Sequence, residues 1–155
     1  MRTASRKRDP ETVEPRVQEL LGRWLLERQS LMSALWELAA AIRRSGGQST
    51  MTLRPQLDAF CEVLVDYVSA GHFEVFRELL EQHERRGTGE EARALYRLIL
   101  PTTQVALDFN DRYFRGGSGI GLERDLSRVG QLLASRFDWE DALLRGLRSH
   151  TQAIT

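Results

Sequence analysis

Hydrophobic residues recur at spacings of three and four through most of the chain, which is the pattern of amphipathic α-helices. Apolar and polar residues nowhere alternate at period two, so no β-strand is predicted. The first predicted helix covers residues 14–44, and only Arg28 interrupts its apolar seam. Pro15 lies in its first turn, where a missing N–H costs no hydrogen bond. Gly46 and Gly47 are expected to end it.

Four further helices are predicted, at residues 54–71, 72–86, 90–114 and 122–150. Gly71 marks the boundary between the second and the third. Pro101 is expected to kink or divide the fourth, because proline removes a helix hydrogen bond. The glycine-rich run at 116–121 follows a helix rather than a strand, which favours a flexible linker over a phosphate-binding loop. The pattern predicts an all-α fold, an antiparallel helical bundle with two long helices and a shorter bent helical hairpin.

Composition limits the classes of protein. The 155 residues, of which 41% are hydrophobic and 28% charged, are typical of one globular domain. The predicted boundaries are a basic disordered tail at 1–13, a single bundle domain at 14–150 and a frayed C-terminus at 151–155. The net charge of zero argues against direct nucleic-acid binding. The longest apolar runs, such as Leu38–Ile42, are far too short to span a membrane.

Candidate chemistry is sparse. The one cysteine, Cys61, allows neither an intramolecular disulfide nor a cysteine-cluster zinc site, and it suits a reducing cytoplasm. None of the three histidines follows a glutamate in the Glu-x-x-His register of di-iron bundles. A Cys61–His72 nucleophile–base pair is the one catalytic alternative. Cys61 lies on an apolar helix face and His72 at a helix start, which favours packing roles. No cofactor, metal or catalytic activity is predicted.

Acidic residues are concentrated in the middle of the chain. Residues 54–91 carry four cations and nine anions, and three of those anions recur every fourth residue. At about 100° per residue, Asp58, Glu62 and Asp66 form one stripe that flanks the apolar face of the second helix. Such a stripe is either a solvated helix face or a docking surface for a basic protein element, whose encounter it would accelerate.

Charged residues also interrupt the inward faces of the two long helices. Arg28 lies in the seam of the first, and Arg136, Glu140 and Asp141 lie near the inward side of the last. An unpaired charge in a core costs several kcal/mol, roughly, so these side chains need partners. One hypothesis is an arginine–carboxylate cluster between the first and last helices. The alternative is that the side chains reach the bundle edge and remain solvated.

Three segments resemble the Rsd/AlgQ regulators of bacterial sigma factor. The central run Phe60–Phe73, FCEVLVDYVSAGHF, closely resembles the family signature. Arg23–Leu31 is similar to the family's first-helix segment, and Arg136–Leu143 to its late Arg-Phe-x-x-Glu-Asp segment. The segments follow the family order and extend over residues 16–148. The basic tail and both glycine-containing loops have no counterpart in this resemblance.

The resemblance implies an anti-sigma factor, a non-enzymatic cytoplasmic protein that binds region four of the primary sigma factor and sequesters it from RNA polymerase core and promoter DNA. It implies a free protein that is monomeric or weakly self-associating. Asp66 is the residue most expected to contact sigma, and Glu62 and Asp58 share its stripe. Further candidates for shaping or supporting the binding groove are Tyr67, His72, Phe73, Trp24, Arg28, Arg136 and Glu140.

Two other functions remain open from the sequence. One is a regulator of the same family that binds a different protein partner, in stringent-response or exopolysaccharide control. The other is an enzyme or cofactor carrier built in a helical bundle, although the ligand motifs that such a protein needs are missing.

Overall fold

The computed structural model describes residues 13–46, 50–116 and 120–154. The helices in these ranges are α1 (Pro15–Ser45), α2 (Arg54–Ala70), α3 (Phe76–Arg85), α4 (Gly89–Tyr113) and α5 (Leu122–Ile154). A short 3₁₀ turn, Thr50–Leu53, precedes α2. The described part contains no β-strand, so the predicted all-α bundle is confirmed. Most of the basic tail, residues 1–12, and residues 117–119 of the glycine-rich run lie outside the described residues.

One core runs through the bundle. α1 packs mainly against α2, and α4 packs against both α2 and α5. The apolar seam of α1 is buried as its spacing predicts, with Val17, Leu31 and Leu38 at 0% exposure. Gly46 adopts a left-handed conformation, with φ of 62°, and ends α1 as predicted. No helix in the described ranges has both the length and the apolar character needed to cross a membrane.

The predicted break at Gly71 is wrong. Gly71 has ordinary helical angles, φ −57° and ψ −49°, and a π-helical turn, Gly71–Val75, joins α2 to α3 without an interruption. A Cβ on Gly71 would lie 3.1 Å from Phe76 Cε2 and 3.2 Å from Arg136 Nη2. The glycine therefore permits a close approach of side chains instead of a turn.

The π turn also changes which residues face the core. Its wider spacing inserts one extra residue relative to an α-helix, so the apolar stripe shifts in phase there. Phe73 is 70% exposed, whereas Val75 and Phe76 are buried. The turn thus places an aromatic ring on the surface next to the end of α2.

Pro101 does not divide α4, which is continuous from Gly89 to Tyr113. Pro101 is exposed, and so is Arg97, the residue whose carbonyl would otherwise accept a hydrogen bond from position 101. The missing hydrogen bond therefore lies on the exposed face of α4, where a proline disturbs no core packing.

His83 connects α3 to α5. Its Nε2–H donates to the carbonyl oxygen of Leu143 at 2.9 Å, and the hydroxyl of Thr88 lies 2.8 Å from Nδ1. A carbonyl only accepts, so Nε2 carries the proton and Nδ1 accepts from Thr88 in the neutral ring. Burial lowers the pKa of His83 from its ordinary value of 6.5. Protonation therefore opposes folding at this position.

This pKa shift predicts a pH-dependent stability. As the pH falls below 6.5, the unfolded chain takes up a proton at His83 before the folded protein does, so the free energy of unfolding decreases. We expect His83→Gln to show a smaller loss of stability between pH 7 and about 5.5 than the parent. Urea unfolding at both pH values measures this, and equal losses in the two proteins would contradict it.

A pair of glycine substitutions tests the packing at the π turn. Alanine is favoured over glycine in a helix by about 1 kcal/mol, and nothing lies within 4 Å of a Cβ on the exposed Gly22 of α1. Gly22→Ala should therefore stabilise the protein by about 0.5–1 kcal/mol. Gly71→Ala should destabilise it by about 1–3 kcal/mol through overpacking. Urea unfolding measures both changes, and a stabilising Gly71→Ala would contradict the close approach.

Candidate functional site

A buried ionic network joins α1, α2 and α5. Arg136 and Glu140 lie one turn apart on α5, and Arg136 Nε donates to Glu140 Oε2 at 2.7 Å. The other carboxylate oxygen, Oε1, accepts from Arg28 Nη2 at 2.9 Å and from the Tyr67 hydroxyl at 2.5 Å. Arg28 Nη1 also donates to Asp141 at 2.8 Å. The predicted arginine–carboxylate cluster is confirmed.

The network is anchored on α4 as well. Arg136 Nη1 donates to the hydroxyls of Thr102 and Thr103, at 3.1 and 2.9 Å. Arg136 and Glu140 are both 0% exposed. Arg28, with 13% of its side chain accessible, and Asp141, with 42%, form the edge of the network nearer to the surface. Charges this deep are held by hydrogen bonds between α1, α2 and α5 and by the two hydroxyls of α4.

Aromatic rings enclose the two guanidinium groups. Trp24 stacks on Tyr67, with ring centroids 5.5 Å apart and planes 7° apart. The guanidinium carbon of Arg28 lies 4.8 Å from the Phe137 centroid and 5.6 Å from that of Trp24. That of Arg136 lies 5.7 Å from the Tyr67 centroid. Cation–π attraction replaces part of the hydration that these charges lose on burial.

Tyr67 and Arg28 both keep their protons at neutral pH. Burial raises the pKa of Tyr67, and Glu140 raises it further, so the phenol stays a hydrogen-bond donor. Burial lowers the pKa of Arg28, but Tyr67, Asp141 and Glu140 outweigh that effect and the net pKa is raised. Neither Tyr67 nor Arg28 is therefore poised to exchange a proton at neutral pH. The chemistry of the network is that of a structural clamp.

The catalytic alternative has little support from Cys61. The residue is fully buried, and burial raises its pKa to about 12, so the thiol is not a nucleophile at neutral pH. The side chain of His72, its proposed base, lies outside the described residues. Within the ranges that the structure describes, no three His, Cys, Asp or Glu side chains are grouped so as to hold a metal ion.

The acidic stripe of α2 has two different environments. Asp58 accepts from Arg54 Nη1 and from the backbone N–H of Arg115, both at 3.0 Å. Burial raises the pKa of Asp58, but these two donors outweigh it and hold the pKa below its ordinary value. Glu62 and Asp66 are exposed, and neither makes a salt bridge or hydrogen bond with a described residue. The carboxylates that remain free to pair with a partner therefore lie in the C-terminal half of the stripe.

Two residues of this surface, Glu27 and Glu74, were not predicted from the sequence. The pKa of Glu27 on α1 is raised above its ordinary value. Burial is the largest cause, and the negative charges of Asp66 on α2 and Glu74 in the π turn add to it, whereas Arg23 acts in the opposite direction. We call Glu27, Asp66 and Glu74 the acidic patch. Its members come from three elements, so no single helical period relates them. The spacing of Glu74, two turns after Asp66, was the only available signal.

The other predicted site residues divide into core and surface. Trp24 and Tyr67 are buried, at 1% and 0% exposure, and belong with Arg136 and Glu140 to the interior. Among the candidate aromatic side chains that the structure describes, Phe73 is the one at the surface. The structure thus separates a supporting set from a solvent-facing set, which the sequence presented as a single group of candidates.

Comparison with known proteins points in one direction. Residues 7–148 match the model of the family described as "Regulator of RNA polymerase sigma(70) subunit, Rsd/AlgQ". The chain is 33% identical over 131 residues to the "Regulator of sigma D" of Salmonella arizonae, covering 81% of this chain and 80% of that protein. It is 34% identical over 133 residues to the protein of the same name in Shigella boydii serotype 4, covering 81% and 82%. No solved structure matches the chain.

The buried network predicts a sharp contrast between neighbouring carboxylates of α5. Glu140→Ala leaves two buried arginines without their shared partner and should reduce the free energy of unfolding by about 3–5 kcal/mol. Asp141→Ala removes a 42% exposed carboxylate that pairs only with Arg28, and should cost at most about 1 kcal/mol. Urea unfolding compares them; similar losses would show that Glu140 does not hold the network together.

Proposed function

The chain belongs to the Rsd/AlgQ family of regulators of the RNA polymerase sigma(70) subunit, and on that premise we propose that it binds region four of the primary sigma factor. In this proposal the complex keeps sigma from core RNA polymerase and from promoter DNA, and so limits transcription. The protein acts in the cytoplasm as a one-to-one binding partner and is monomeric or weakly self-associating when free.

Charge complementarity supports the choice of region four. That region contains a DNA-reading helix-turn-helix, which must be basic to hold phosphate groups. The observation that carries the proposal is Asp66: it is exposed, it lies in the family-like run, and no described residue pairs with it. Glu62 lies one turn earlier and is also exposed. These carboxylates can take the positions that phosphates occupy in a promoter complex.

The remaining candidate residues have supporting roles in this proposal. Phe73 offers an exposed apolar anchor within an acidic rim, the arrangement that gives protein interfaces most of their affinity. Tyr67 is the neighbour of Asp66, and its bond to Glu140 fixes the rotation of α2. Trp24, Arg28 and Arg136 hold that bond in place. Asp58, already bonded to Arg54, contributes less to binding than Asp66.

Binding without catalysis fits the chemistry of the described residues. The buried acids and bases of the network are committed to one another, and Cys61 is a protonated thiol. The function therefore needs a stable surface and not a reactive group.

Removing the Asp66 carboxylate tests the proposal. Asp66→Ala should weaken binding to purified sigma region four by about 1–3 kcal/mol if the carboxylate pairs with a partner cation at a desolvated contact. Asp111→Ala, which removes an exposed carboxylate from α4, should leave the affinity unchanged. Isothermal titration at low and moderate salt measures both, and the parent affinity should fall as salt rises.

Two results would contradict the proposal at different levels. Absence of binding between the parent protein and region four at tens of micromolar and low salt would remove region four as the target. Equal affinities for the parent and Asp66→Ala would keep the target but remove Asp66 from the interface. Circular dichroism of each variant shows that the fold is retained.

A further inference from the structure

An apolar cleft opens beside the acidic patch, between α1 and the end of α2. It encloses about 270 Å³, less than the roughly 300–1,000 Å³ of sites that hold small molecules. Its apolar lining is Leu20, Trp24, Leu26, Ala70 and Val75. The small volume and the apolar lining suit side chains of a peptide segment better than a cofactor.

The charged groups at the cleft are mostly negative. Glu27 and Glu74 line it, and Asp66 acts on Glu27 from α2. Arg23 is the cation among the lining residues. It forms no salt bridge with a described residue, so it does not neutralise either carboxylate by direct contact. Three carboxylates against one guanidinium favour an occupant with positive charge.

The chain itself carries a matching segment close by. Residues 1–12 contain four cations, Arg2, Arg6, Lys7 and Arg8, and two anions. They precede Val13, whose carbonyl oxygen accepts from Gln18 at 3.1 Å at the start of α1. This start lies beside α3, because Arg16 Nη2 is 3.0 Å from Glu78 Oε1, one turn beyond Glu74. The segment therefore begins about two turns of α1 before Leu20, which is the first residue of α1 that lines the cleft.

The distances permit the segment to reach the cleft. Leu20 and Glu27 lie about 10 and 21 Å from Val13 along α1, at 1.5 Å per residue. Lys7 and Arg6 are six and seven residues from Val13, and an extended chain covers about 20 and 23 Å over those lengths. Both side chains can therefore be placed level with the acidic patch.

We propose that the basic N-terminal segment of this chain, residues 2–8, docks in the cleft between α1 and the π turn, with its cations against Glu27, Asp66 and Glu74. This contact goes beyond sigma binding and does not require it. Because Asp66 belongs to both surfaces, the segment would compete with a basic partner and lower its apparent affinity.

Disulfide trapping in the full-length chain tests the docking. Ser5→Cys adds a thiol without removing a cation, and Leu26→Cys adds one at the cleft, where Leu26 is 62% exposed. The matched control pairs Ser5→Cys with Gln18→Cys, an exposed position nearer to Val13 but about 80° from Leu26 and 180° from Glu27 around α1. Cys61 does not interfere, because it is fully buried.

The docked segment should form the Ser5–Leu26 disulfide at least about tenfold faster than the Ser5–Gln18 disulfide, and about 0.5 M salt should reduce the difference. Equal rates, or faster trapping at the nearer position 18, would overturn the proposal. Circular dichroism of the reduced variants verifies that each is folded.

A second measurement does not depend on introduced cysteines. An NMR titration of the Glu27 carboxyl should show its pKa rising by at least about half a pH unit when Arg6, Lys7 and Arg8 are all replaced by glutamine. The carboxyl of Glu81, exposed on α3, serves as the internal control and should not move. An unchanged Glu27 pKa would overturn the docking. Neither experiment contains sigma, so their failure leaves the sigma proposal intact.

Discussion

The carboxylate of Glu140 is the point on which the arrangement of the bundle depends. It accepts hydrogen bonds from Arg136 on its own helix, from Arg28 on α1 and from Tyr67 on α2. Removing Glu140 would leave the buried Arg136 without its carboxylate, which costs several kcal/mol. The hydrogen bonds to this one carboxylate form together only when all three helices hold one relative rotation. The network therefore specifies an arrangement as well as stabilising it.

That rotation determines what the surface presents. Tyr67 points into the core and bonds to Glu140, so the adjacent Asp66 is turned to solvent. The π turn that follows has a comparable effect. It keeps the helix continuous past Gly71, admits Arg136 and Phe76 close to the backbone, and moves Phe73 outward. The charge and the ring offered to a partner are thus positioned by groups that the partner does not touch.

Few carboxylates of the acidic stripe and the acidic patch are paired with a cation of the described chain. Asp58 is compensated by Arg54, but Glu62 and the acidic patch are not held by salt bridges to described residues. Burial raises the pKa of Glu27, and repulsion from Asp66 and Glu74 raises it further, at a cost in folding energy. A cation supplied from outside the helices would relieve this repulsion. Both the proposed sigma interface and the proposed docking of the N-terminal segment follow from the same imbalance.

The sequence by itself determined the all-α class and the burial of the α1 seam, because helical periodicity is local. It also showed that the inward charges of α1 and α5 need either partners or solvent, because an unpaired buried charge is too costly to leave. Gly71 and Pro101 were misleading as signals of helix ends. Gly71 is explained by the close packing of side chains against it, and Pro101 is tolerated within α4 because it lies on the exposed face. Only the tertiary structure decided that Tyr67 and Trp24 support the site from inside while Asp66 and Phe73 face solvent. Only the tertiary structure showed that Glu27 and Glu74 lie near Asp66. Proximity between separate helices depends on how the helices pack, and the spacing of residues along one helix does not reveal it.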